Sequence, residues 1–182
     1  TPESAAESLG TWWDMHGPAD VQPMLAWLRH EGHTTRLARV LQMLDDFGDG
    51  DFEAFVASQD ESIRHQLRYA REHRAELKGG ALEAFDMVRL SFVARASYTA
   101  GWIDERAGWS AVLEAARRLQ RAHGSWREMS QQYLLGRRYW AGGDPAQQLK
   151  FDRQAQWLET DPKSPWQQLP WDLPLATIHG VN

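Results

Sequence analysis

Residues 81–100 read ALEAFDMVRLSFVARASYTA, and this segment is the main evidence for the fold class. Its apolar residues recur at the three- and four-residue spacing of an α-helix, with Leu82, Phe85, Val88, Phe92 and Ala96 on one face. Other apolar residues cover much of the remaining surface, and a helix that is apolar on most sides lies in the middle of a fold. The segment therefore predicts a central helix, which Gly101 ends, with other helices packed around it.

The same periodicity occurs on both sides of this segment. We expect further helices over about residues 11–16, 21–31, 33–47 and 58–78. We also expect a helix capped by Asp104, one that follows Ser125 and continues to Trp140, and one that begins at Pro145 and ends near Asp161. Ser125 and Glu128 have the spacing of a capping box at the start of one of them. Since no alternating run of β-branched residues is long enough for a sheet, the prediction is an all-α fold. We expect a single-domain orthogonal helical bundle of about seven to eight helices.

The two ends of the chain differ in composition from the bundle. Residues 162–182 contain four prolines, which argue against a helix, but also Trp166 and Trp171, which a disordered tail would lack. This pattern predicts an extended C-terminal strap that the two tryptophans dock on the bundle. Residues 1–10 are expected to be a loosely ordered end of one domain that spans 1–182. Because the first residue is Thr1 rather than Met, we also expect that an upstream segment was removed.

Composition excludes several classes of function. The 182 residues include ten Trp and no Cys, which excludes disulfides, thiolate metal ligands and a cysteine nucleophile. A net charge of −5 argues against a general binder of nucleic acid or anionic membranes. No apolar run approaches the length of a transmembrane helix. We expect a cytoplasmic protein without a cofactor.

Charged residues in and after the central helix are the first candidates for a site. Asp86 and Arg89 are three residues apart, so they share one side of a helix whose flanks are apolar. A buried charge needs an opposite charge and hydrogen bonds. One interpretation is a structural clamp, which Arg137 joins from a later helix. The other is a cleft formed by Asp86, Arg89 and Arg137 that recognises an anion or a carboxylate.

Two other segments resemble metal sites only superficially. His30 and His33 are three residues apart with Gly32 between them, which indicates a helix end rather than a zinc motif. The acidic segment 45–53 lacks the bidentate glutamate of a calcium loop. No metal site is predicted, and the segment is interpreted as an interhelical turn or as a partner-binding surface formed by Asp45, Asp46, Asp49, Asp51 and Glu53.

Catalytic motifs are absent from the sequence. It contains no Gly-x-Ser-x-Gly elbow and no phosphate-binding glycine loop, so an enzyme is disfavoured. The tryptophans could form an aromatic ligand cage. Burial on the inward faces of helices is the preferred explanation for Trp12, Trp27, Trp102, Trp109, Trp126 and Trp140.

Several segments together resemble a known family. They are 28–33, 86–89, 100–105, 115–117, 125–126, 133–137 and 165–172, with Trp109 and Trp140. This pattern is similar to the bacterial family called domain of unknown function 1266. The resemblance implies an all-helical protein without an established activity. It also implies a link to polymorphic toxin systems, since some members have such gene neighbourhoods.

Three hypotheses for function follow. The first is a non-enzymatic protein-binding module, an immunity or accessory protein that neutralises a toxin and whose acidic surface attracts a basic partner. The second is an enzyme or small-ligand receptor that uses Asp86, Arg89 and Arg137. The third is the toxic domain of a longer effector.

Overall fold

The computed structural model describes residues 1–77, 81–142 and 144–175, which form helices and turns without a strand. The helices are α1 Pro2–Trp13, α2 Val21–His30, α3 Gly32–Asp46, α4 Asp49–Ala57, α5 Glu61–Glu72, α6 Arg74–Leu77, α7 Ala81–Thr99, α8 Glu105–Ala122, α9 Trp126–Ala141, α10 Pro145–Thr160 and α11 Pro165–Gln168, and a 3-10 turn at Pro18–Asp20 precedes α2. The prediction of an all-α fold is confirmed. No helix in the described part of the chain has both the length and the apolar character of a membrane span.

Helix α7 is the centre of the bundle, as its apolar sequence predicts. It packs against α1, α2, α3, α8 and α9. Its neighbours divide the apolar interior into two cores. Leu90 and Val93 belong to the core shared with α1, α2 and α8, whereas Leu82 and Phe85 belong to the core shared with α3, α4 and α5. A polar side chain at the middle of α7 is therefore held between two apolar cores.

The N-terminal residues are helical, so the expectation of a loosely ordered end over 1–10 is wrong. The Thr1 hydroxyl caps α1 by accepting a hydrogen bond from the Ser4 amide at 3.3 Å, and Pro2 occupies the first helical turn. Leu9 is fully buried in the first core. The cap, the proline and this buried leucine together fix a segment that sequence periodicity alone did not mark as a helix.

The C-terminal segment lies against α8 and α9. Trp166 stacks on Trp126 with ring centroids 5.3 Å apart, and Trp171 meets the same indole edge-on at 4.8 Å. One part of the expectation is wrong, because Pro165–Gln168 forms the short helix α11. Its N-cap Ser164 accepts a hydrogen bond from the Trp166 amide at 3.1 Å, and a proline is favourable in a first helical turn. Residues 176–182 of the expected strap lie outside the described residues.

A buried histidine connects this segment to the bundle. The Trp171 indole Nε1 donates to the backbone oxygen of His123 at 2.8 Å, and the His123 side chain is 5% exposed. Its Nε2 atom has no hydrogen-bond partner among the described residues. Burial lowers the pKa of His123 below its ordinary value of 6.5, and the carboxylates of Glu128 and Glu83 oppose that shift.

We expect acid to destabilise the protein through His123. Because the folded pKa is the lower one, the unfolded chain binds more protons once the pH falls below about 6.5, and stability is lost as the pH falls. The loss cannot exceed about 1.4 kcal/mol per pH unit for one proton. Thermal unfolding of the wild type and of His123→Asn between about pH 5 and pH 7.5 measures it. The variant should show a shallower slope, whereas His30→Asn, at an exposed position, should keep the wild-type slope.

Candidate functional site

Asp86 of α7 is buried at the N-terminus of α3, with 2% of its surface exposed. Its Oδ2 atom accepts hydrogen bonds from the His33 amide at 2.9 Å, from the Thr34 amide at 3.1 Å and from the Thr34 hydroxyl at 2.9 Å. Helix α3 has no side-chain cap of its own. The first amides of a helix lack intrahelical partners and carry partial positive charge, so a carboxylate is favoured there. Asp86 therefore caps α3 from a different helix.

Gly32 makes this close approach possible. Its φ is +48°, a left-handed conformation that lets the chain turn between α2 and α3. A Cβ atom at this position would lie only 2.2 Å from Asp86 Oδ2. The glycine is needed both for the backbone turn and for the space that the carboxylate occupies.

His33 joins the carboxylate to a guanidinium. Its Nδ1 atom lies 3.1 Å from Asp86 Oδ1 and 2.9 Å from Arg89 Nη1. A protonated Nδ1 can donate to Asp86, and an unprotonated Nδ1 can accept from Arg89, but one nitrogen cannot do both. The position of one proton on His33 therefore decides which of the two charged groups it bonds.

Aromatic rings surround Arg89. The guanidinium carbon lies 4.5 Å from the Trp13 ring centroid, 4.7 Å from that of Phe85 and 5.4 Å from that of Trp140. Cation–π interactions form at these distances, and they stabilise the partly desolvated charge of Arg89. Burial lowers the pKa of Arg89, and the charge of Asp86 opposes that shift. Among the described residues, Asp86 and Arg89 form no direct ion pair. Each instead lies within hydrogen-bond distance of His33 Nδ1.

The structure places Arg137 against residues outside the predicted Asp86–Arg89–Arg137 cluster. Its guanidinium carbon lies 3.5 Å from the Phe151 ring centroid, and Nη2 donates to Gln147 Oε1 at 3.2 Å. Arg137 and Arg89 both oppose the rise that burial causes in the pKa of Tyr133. The sequence-predicted cluster is thus divided into an Asp86–His33–Arg89 site and a separate position for Arg137 beside α10.

The acidic segment is partly neutralised. Asp45 forms an ion pair with Arg74, and Glu53 lies 3.3 Å from Arg68. Asp46 and Asp51 are exposed, whereas the side chain of Asp49 lies outside the described part. No group of three or more His, Asp or Glu among the described residues could hold a metal ion. These two arginines offset part of the negative charge, so the segment is a weaker candidate for binding a basic partner than its sequence indicates.

Sequence reasoning missed His33 and Thr34 as members of the site. They are 53 and 52 residues from Asp86, and no motif connects the positions. The available signals were Gly32 at a predicted helix end and a histidine directly after it. These signals mark a turn, but they do not identify the carboxylate that binds there.

Comparison with known proteins identifies the family of this chain. The model of a family of proteins of unknown function, DUF1266, matches residues 8–171. The chain belongs to the DUF1266 family. The resemblance predicted from the sequence is therefore confirmed. Asp86, Arg89 and Arg137 all lie within the part of this DUF1266 chain that the family model matches.

A similar protein is the uncharacterized protein YbeR of Escherichia coli (strain K12). The two are 21% identical over 132 residues, which is 72% of this DUF1266 chain and 56% of YbeR. The chain thus spans just over half the length of this relative. No solved structure gives a significant match.

Proposed function

We propose that this DUF1266 chain is a non-enzymatic protein-binding module, and that its interface is an aromatic–arginine band along α7. The observation that carries the proposal is the exposure of large aromatic side chains on α7 and on helices packed against it. Trp12, Trp109 and Trp140 were predicted to face inward, but they are 77%, 50% and 43% exposed. Phe92 and Tyr98 of α7 are also exposed. The aromatic–arginine band comprises Trp13, Arg89, Phe92, Arg95, Tyr98, Trp109 and Trp140.

Side-chain contacts, and helical spacing between Phe92 and Arg95, connect the residues of the band. Trp13 stacks on Phe92 with centroids 6.2 Å apart and also lies against Arg89. Arg95, one helical turn beyond Phe92, lines an apolar cleft of about 370 Å³ together with Tyr98 and Trp109. The surface therefore extends from the start of α8 across α7 to the site at Arg89.

The α8 end of the band is held in place before any partner binds. The Trp109 indole Nε1 donates to Glu105 Oε1 at 3.2 Å. Gly108 of α8 is buried beside Tyr98 of α7, so the two helices pack directly against each other at this end of the band. Side chains that are already ordered lose less conformational entropy on binding, which favours affinity.

The composition of the band indicates the chemistry of the partner. Tryptophan, tyrosine and arginine are the residue types that contribute most binding energy in protein interfaces. The band carries two arginines, and the adjacent Glu105 is engaged by Trp109. The partner surface should therefore combine an apolar centre with a carboxylate that faces Arg95, the exposed arginine of the band. This differs from the basic partner that the acidic segment suggested.

The finer proposal is that the partner is a toxin and this chain its immunity or accessory protein. It is supported by the resemblance to a family some of whose members have polymorphic toxin systems as gene neighbours. The lack of catalytic motifs in the sequence agrees with a protein that acts by binding. An immunity protein blocks its toxin by occupying a functional surface, and a rigid aromatic band suits that role.

Binding to the product of the adjacent gene tests this proposal. Calorimetric titration should give saturable binding, and Trp109→Ala should weaken it about 30-fold, the loss of a hot-spot residue of about 2 kcal/mol. Trp157→Ala is the matched control, because Trp157 on α10 is equally exposed but lies outside the band. The control should bind like the wild type.

A growth assay extends the test to biological function. The adjacent gene product should inhibit growth, and co-expression of this chain should restore growth, less so with Trp109→Ala. No binding at micromolar concentration together with no rescue would overturn the proposal. Toxicity of this chain expressed alone would favour the toxic-domain hypothesis instead. A Trp109-dependent dimer that binds no other protein would assign the band to self-association and equally contradict the proposal.

A further inference from the structure

A second surface, lined by residues other than those of the aromatic–arginine band, has the features of a ligand site. A cavity of about 220 Å³ lies between α5, α9 and the start of α10. His65 and Tyr69 line it from α5, and Arg137 and Arg138 line it from α9. Gln147 contributes from α10. The volume corresponds to about seven water molecules, which is below that of most drug-sized sites.

Arg137 gives this cavity its chemical character. The residue is only 8% exposed, and its Nε atom is buried without a hydrogen-bond partner. No carboxylate in the described part of the chain lies within ion-pair distance of it. Its described contacts are the Phe151 ring and the neutral amide of Gln147. A buried charge without a counter-charge is costly, so an anion that neutralised it would stabilise the protein.

The other charged groups around the cavity are engaged by partners within the bundle. Arg138 donates through Nη2 to Asp152 at 2.8 Å, so its charge is balanced within the bundle. His65 Nε2 donates to the backbone oxygen of Arg138 at 2.8 Å, which fixes the orientation of the ring. The carboxylate at the rim, Asp144, accepts from the first amides of α10 and is engaged in capping that helix. Among these described groups, Arg137 is the buried cation without an ion-pair partner.

We propose that this cavity binds a small oxyanion, a carboxylate or phosphate group, with Arg137 as its principal contact. A guanidinium matches the planar oxygens of such groups and can donate two parallel hydrogen bonds to them. Arg138 and Tyr69 line the same space and add further donors. Stacking on Phe151 holds the Arg137 guanidinium in a fixed plane, so little entropy is lost when the anion binds. This proposal is independent of the proposed protein interface.

Thermal unfolding in the presence of defined anions tests the proposal. Inorganic phosphate and succinate are added separately to the full chain, and sodium chloride at matched ionic strength is the reference. At about ten times the dissociation constant, the melting temperature should rise by about 3 °C over the reference. The anion that gives the larger rise identifies the ligand class. Isothermal titration then supplies the affinity.

Variants locate the response. Arg137→Gln should abolish the rise, and Arg138→Gln should reduce it, so that the test still holds if one variant fails to fold. Arg153→Gln is the matched control, because Arg153 lies on α10 but lines a different cleft. It should respond like the wild type. A response to neither anion, or a response that folded Arg137→Gln retains, would overturn the proposal.

Discussion

Replacement of Asp86 with Ala is expected to lower the free energy of unfolding by about 3–5 kcal/mol. The carboxylate accepts hydrogen bonds from two backbone amides and one hydroxyl at the start of α3. Without it these donors are left unpaired between two apolar cores, and the buried charge of Arg89 loses the nearby carboxylate that opposes its burial. Urea unfolding followed by tryptophan fluorescence measures the loss.

A matched control separates the effect of losing the Asp86 contacts from the effect of removing a carboxylate at another position. Glu114→Gln removes a carboxylate that pairs with Arg29 at 2.8 Å but is 41% exposed. Exposed ion pairs contribute at most about 1 kcal/mol, so this variant should remain close to the wild type. Equal losses for Asp86→Ala and Glu114→Gln would show that the contacts of Asp86 with α3 do not stabilise the fold.

Replacement of Gly32 with Ala should be the second large effect, with a loss of about 3 kcal/mol or more. The left-handed conformation costs an alanine about 1–2 kcal/mol. In addition, the new Cβ atom would overlap the Asp86 carboxylate and displace it from the amides that it caps. Urea unfolding of the variant under the same conditions measures the sum of the two costs.

Gly101→Ala provides the control for the conformational part alone. Gly101 has φ +76°, and the position that a Cβ atom would take there has no neighbouring atom within 4 Å, so only the backbone cost remains. A double-mutant cycle supplies a further check, because in an Asp86→Ala background the Gly32→Ala substitution should cost no more than Gly101→Ala. A Gly32→Ala loss that is the same in both backgrounds would mean that the carboxylate and the glycine do not interact.

The helices were predictable because their signals are local. The apolar faces of α7 and α8 and the capping residues Ser125 and Asp104 are encoded within a few adjacent positions. The Asp86–Arg89 pair was recognisable for the same reason, since both residues lie on one helix. The first helix was missed over residues 1–10, because its local signals are limited to Thr1 and Pro2 and the burial of Leu9 in the first core is a tertiary contact.

Positions far apart in the sequence were not predictable. Arg137 was placed with Asp86 on the basis of charge alone, but the packing of α9 against α10 directs it to Phe151 and Gln147. His33 was interpreted as part of a helix end, and only the packing of α3 on α7 brings it between Asp86 and Arg89. Helical periodicity also assigned Trp109 to an inward face, yet half of its surface is exposed.

The order of residues was sufficient to establish that this protein is helical, that α7 is its apolar centre and that Asp86 and Arg89 share one side of that helix. Periodicity, capping residues and glycines act over one or two helical turns, so these features are encoded locally. Helix packing, by contrast, determines which side chains meet at Asp86, which tryptophans face outward and that Arg137 is buried away from the described carboxylates. These properties depend on which helices pack against each other. The packed faces come from parts of the chain that are far apart in sequence, so no local pattern encodes them.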